Sequence, residues 1–101
     1  MNVSEIKEKF ATLGVELQLF LTLVLVADEN GAIKVKKTDL AKYLRTTAQT
    51  VGKYLKTFAG AKMIKYKYSG DGIINPAFYY TGPPERKAEI IERYTNFNSD
   101  I

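Results

Sequence analysis

The chain has 101 residues, 46% hydrophobic and 26% charged, with 15 Lys and Arg against 11 Asp and Glu. It contains no cysteine and no histidine, which removes disulfides, thiolate and imidazole metal ligands, and every serine or cysteine triad that needs a histidine base. The expectation is one compact domain over residues 1–101 that binds rather than catalyses and takes no cofactor.

The first ten residues mix charges and carry no apolar run of signal-peptide type. The most apolar stretch, residues 17–26, includes Gln18 and Thr22 and is half as long as a membrane span. A cytoplasmic protein with no membrane contact is expected.

Ser4 can cap a first helix over residues 4–12, with Ile6, Phe10 and Leu13 at helical spacing. Gly14 breaks it, and a second helix follows over residues 15–27. Leu17, Phe20, Leu21, Val24 and Leu25 read as its buried stripe, with Leu19, Leu23 and Val26 as a surplus apolar strip. Asn30-Gly31 signals a turn, residues 33–35 a very short strand, and Thr38 an N-cap opening a short helix through Leu44. Thr47 offers another cap, for a helix from Ala48 to about Ala61. Residues 63–68 alternate, with Ile64, Tyr66 and Tyr68 on one face and Lys65 and Lys67 on the other. Residues 69–72 form a hairpin turn and Ile73 and Ile74 a return strand, ended by Asn75-Pro76, since proline has no N–H to donate. A last helix from Pro84 or Glu85 to Asn96 carries the stripe Ile90, Ile91, Tyr94 and Phe97. The order predicts a mainly α fold with a small β hairpin, a winged helix-turn-helix with extra N- and C-terminal helices.

Ten cations lie between Lys34 and Lys67 with one acid, Asp39, while the rest of the chain holds five cations and ten acids. A basic block within a globular chain points to a polyanion partner. Inside the block, Leu40, Ala41 and Leu44 face inward from the first helix of the motif, and small Ala41 permits a close crossing. Val51, Leu55 and Phe58 anchor the second. Its opposite face presents Gln49, Lys53 and Lys56, with Thr47, Ala48 and Thr50 leading. One such helix fits the DNA major groove, where Gln can pair with adenine, Lys can reach guanine or phosphate, and Ala48 or the Thr50 methyl can touch thymine. Lys36, Lys37 and Arg45 suit flanking phosphates, Tyr54 a sugar-phosphate, and Lys65 and Lys67 a clamp on phosphates beside the groove. Gly52 admits two readings: close approach of DNA, or close packing of the neighbouring helix. Five to eight neutralised phosphates predict a log–log salt slope of roughly −4 to −7.

Tyr79-Tyr80 is similar to the paired tyrosines of nicking enzymes, but those also need a histidine-held metal. Glu85, Glu89 and Glu92 at helical spacing read as a solvated face. The expected partner is double-stranded DNA with repeated or palindromic half-sites about one helical turn apart, bound by a homodimer. The competing class is a winged-helix module that docks on an acidic protein.

From Thr46 onward the chain resembles the C-terminal half of the RepL-type plasmid replication proteins of Gram-positive bacteria. The resemblance rests on the T-x-x-TV start at Thr47, the basic Ile64-Lys65 strand, Ile74-Asn75-Pro76 with Gly82 six residues after the proline, and Asn96-Phe97 after a charged helix. It implies a DNA-binding winged helix at a plasmid or phage replicon, with replication or partition proteins as partners and no catalytic residues. The helix-turn-helix is also similar to the adaptors of tubulin-like partition systems, which bind centromeres, and to repressors of the same fold. Lys62 occupies the place where winged helices usually put Gly or Asn, so the recognition helix either ends in a strained left-handed residue or ends differently.

Overall fold

Helix α1 spans Val15–Val26 and is apolar on nearly every side. The computed structural model describes residues 14–101; the helix expected over residues 4–12 lies outside the described residues. The expected buried stripe of α1 is only partly realised: Phe20 and Val24 pack against the core, but the helix turns its other apolar strip inward. Leu19, Thr22 and Leu23 are buried, whereas Leu17 and Val26 are exposed and Leu25 is 76% exposed. Thr22 is tolerated inside because its hydroxyl donates to the carbonyl of Gln18 at 2.8 Å.

Strand β1, Ala32–Lys34, leads into α2, Lys37–Tyr43, and α3, Ala48–Gly60. The cap of α2 is Lys36 and not Thr38, and it makes no side-chain capping bond. Strands β2, Ile64–Tyr66, and β3, Asp71–Ile74, form the wing. The expected hairpin is in fact part of a three-stranded antiparallel sheet ordered β1-β3-β2. Gly72 lies between Ile33 and Tyr66 on the flanking strands, and a Cβ there would come within 2.9 Å of the Lys65 carbonyl oxygen. A 3-10 turn, Pro84–Arg86, then opens α4, Lys87–Asn96. Half helix and a small sheet make this a mainly α, winged-helix-like fold.

One core joins the elements. Leu19 and Leu23 of α1, Ile33 of β1, Leu40, Ala41 and Leu44 from α2 and its end, and Val51, Leu55 and Phe58 of α3 meet Ile64, Tyr66 and Ile74 of the wing. Phe20 packs edge-on against Phe58, with ring centroids 5.6 Å apart. From α4, Ile90 is buried while Ile91 is exposed. Residues 97–101 then run along the free edge of β2. Asp100 N–H donates to the Tyr66 carbonyl at 2.9 Å, and Tyr68 N–H donates to the Asp100 carboxylate at 2.9 Å. That edge would otherwise expose unpaired backbone groups. Among the described residues no helix is long and apolar enough to cross a membrane.

Candidate nucleic-acid interface

The turn between α2 and α3 is built from local chemistry. Thr46 N–H donates back to the Ala41 carbonyl at 2.9 Å, six residues closing on one, which puts Arg45 in the left-handed region at φ 55. Thr47 then caps α3, its hydroxyl oxygen accepting from Thr50 N–H at 3.1 Å. The Thr47 hydroxyl donates to the Thr50 hydroxyl at 2.9 Å, so both threonines are committed to starting the helix and offer a ligand mainly the Thr50 methyl.

Val51, Leu55 and Phe58 seat α3 in the core. That fixes the rotation of the helix and turns Gln49, Lys53 and Lys56 outward, all exposed. Together with Gly52 they form one wall of an open groove of about 760 Å³, with Lys37 and Tyr68 also lining it. The Lys37 ammonium lies 5.6 Å from the Tyr68 ring centroid, a cation–π contact that holds both side chains at the rim. A Cβ on Gly52 would meet nothing but the Lys37 side chain, with Nζ at 3.8 Å. Close helix packing therefore does not require glycine here.

Lys36 and Arg45 are exposed but do not line the groove. Tyr54 is half-buried against the core, with the Lys53 ammonium 5.9 Å from its ring centroid. Ala48 also packs partly into the core, leaving little of its methyl for thymine.

Two expected residues do not join the set. Lys65 is turned to α4, where its ammonium sits 4.9 Å from the Tyr94 ring centroid and donates to the Thr95 carbonyl at 3.1 Å. Lys67 lies 5.1 Å from the Phe97 ring centroid. The cause is strand alternation: Tyr66 is drawn into the core, so its neighbours must point the other way. Their place on the groove is taken by Tyr68. Read from its pattern as a core or platform residue, it lies two residues beyond the end of β2 and is exposed.

Tyr66 donates its hydroxyl proton to the Val35 carbonyl. Burial pushes its pKa up, opposed by a backbone hydrogen bond from Lys37, with the Asp39 and Asp71 charges adding to the rise. Burial also raises Tyr94. Neither phenol is a ready nucleophile. Glu89 is paired with Arg93 at 2.7 Å and Arg86 at 3.9 Å on an exposed helix face.

The pair Asn75-Pro76 and the downstream Gly82 have structural roles. A Cβ on Gly82 would lie 2.9 Å from the Glu29 carbonyl oxygen and 2.6 Å from the Tyr80 hydroxyl, so the loop before α4 can pass the β1 side only with glycine. Lys62 does adopt the left-handed conformation, at φ 60. The Asn75 amide donates to its carbonyl at 2.8 Å.

Residues 15–101 match the family model described as Firmicute plasmid replication protein (RepL). No curated protein and no solved structure matches the chain.

Proposed function

The chain belongs to the RepL family of Firmicute plasmid replication proteins, and from that membership we propose that it acts as a homodimer binding double-stranded DNA sequence-specifically at a plasmid or phage replicon. One observation carries the reading: the outward face of α3, with Gln49, Gly52, Lys53 and Lys56, borders an open groove and not a neighbouring element. A helix so placed enters a major groove with its N-terminal half toward the bases. Gln49 reads a base edge, Lys53 reaches guanine or phosphate, and Lys36, Lys37, Arg45 and Lys56 hold the flanking strands. The protein recruits or marks and does no covalent chemistry.

Selection of bound duplexes from a random pool tests this. A defined motif with repeated or inverted half-sites is the expected result. In that motif Gln49→Ala should relax one base position by about 1–3 kcal/mol, whereas Lys56→Ala should weaken all sequences alike. A pool that shows no enrichment, or a Gln49→Ala protein that discriminates as well as the parent, removes the proposal.

A further inference from the structure

The Asn-Pro pair lies outside the groove, yet its asparagine is tied to the recognition helix. Three bonds meet at the end of α3. The Asn75 side-chain amide donates to the Lys62 carbonyl at 2.8 Å, the Tyr94 hydroxyl donates to the same carbonyl at 3.2 Å, and Asn75 N–H donates to the Met63 carbonyl at 2.8 Å. The side-chain oxygen of Asn75 accepts from Ala77 N–H at 3.0 Å, which fixes the orientation of the amide. Met63 N–H closes the helix end by donating to the Phe58 carbonyl at 2.9 Å.

Lys62 is the one residue between α3 with its cap and the approach to β2 whose backbone is left-handed, at φ 60. A residue with a Cβ holds that conformation reluctantly, so the turn depends on what fastens it. Rotation at Lys62 would swing α3 against the wing and change the distance between the Gln49–Lys53–Lys56 wall and Tyr68 on the other side of the groove.

We propose that Asn75 and Tyr94, through their shared hold on the Lys62 carbonyl, are positioning residues that set the angle of α3 to the wing and thereby the sequence discrimination of the protein. This rests on the DNA-binding reading above. Neither residue lines the groove.

The experiment uses the full chain with Asn75→Asp, which keeps the acceptor for Ala77 and deletes the donor to Lys62, and Tyr94→Phe, which deletes only a hydroxyl. Amide hydrogen exchange without DNA is compared with the ratio of affinities for the selected and random duplexes. In both variants the Met63 amide should exchange at least tenfold faster while the amides of α1 keep their protection. The discrimination ratio should fall about tenfold, with an unchanged salt slope in Tyr94→Phe. Unchanged Met63 exchange overturns the hold itself. Faster exchange with full discrimination overturns the positioning role and leaves a merely structural bond. A wild-type chain that prefers no duplex overturns the DNA reading and this proposal with it, a result the exchange arm tells apart because it needs no DNA.

Discussion

Gly52 stands at a helical position where alanine would fit, since the added methyl finds only the mobile end of Lys37 at 3.8 Å. Gly52→Ala should therefore stabilise the fold by up to about 1 kcal/mol while weakening binding to the selected duplex, because the methyl projects into the groove. A urea midpoint that rises as affinity falls is the expected pair of results. Arg45 presents the same opposition between stability and function. Its left-handed backbone, φ 55, costs an ordinary residue about 1–2 kcal/mol, against the roughly 0.5–1 kcal/mol that glycine loses through its freer unfolded chain. Arg45→Gly should leave the melting temperature unchanged or raised, and reduce the salt slope of DNA binding by about 0.9. A lowered melting temperature would show that the guanidinium holds something in the fold.

At the level of elements, α3 was the most legible. Thr47 as its cap, Val51, Leu55 and Phe58 as its buried face, and its span of Ala48–Gly60 all follow from local chemistry. The wing was legible as a hairpin but not in its allegiance. Lys65 and Lys67 share a strand face, but no alternation pattern says that α4 and the segment after it will lie against that face. With both lysines turned aside, the cations left for phosphate are Lys36, Lys37, Arg45, Lys53 and Lys56, which puts the log–log salt slope at about −4.5 or shallower for each protomer bound to its half-site. Titrations between low and physiological salt measure it directly. Two tyrosines, one in the wing and one in α4, set the alkaline limit of the fold. Tyr66 and Tyr94 have folded pKa values raised above 10.0. Their contribution is thus complete below the unfolded value and is lost as pH rises through the folded ones. Stability to urea should decline above about pH 10, and Tyr66→Phe, though less stable at neutral pH, should decline less steeply.

At the scale of the whole molecule, the proposed homodimer would associate through α1. Leu17, Leu25 and Val26 are exposed on it, and exposed apolar side chains such as Leu25 suit a self-complementary interface. Light scattering should give a dimer that Leu25→Glu dissociates without loss of helix content. A concentration-independent monomer in the parent chain would remove the homodimer from the proposed function and predict recognition of single half-sites.

The sequence alone determined the order and type of the main elements among the described residues, the bounds and buried face of α3, the basic block and the family resemblance. All of these depend on contacts within a few residues: caps, turn chemistry and the period of apolar positions. It even located the unusual end of α3, because Lys62 stands where glycine is expected and Asn75-Pro76 stands out in the wing. What only the tertiary structure decided are the choices that local pattern leaves degenerate. A largely apolar α1 offers two apolar strips, and only the assembled core decides that Leu19 and Leu23 are the ones fully buried. β1 becomes a sheet strand only when Ile33 finds Gly72 across from it. The wing lysines find their direction only when the segment around Tyr94 and Phe97 arrives, and the Asn75 amide finds its purpose only when the chain brings it 2.8 Å from a carbonyl 13 residues earlier.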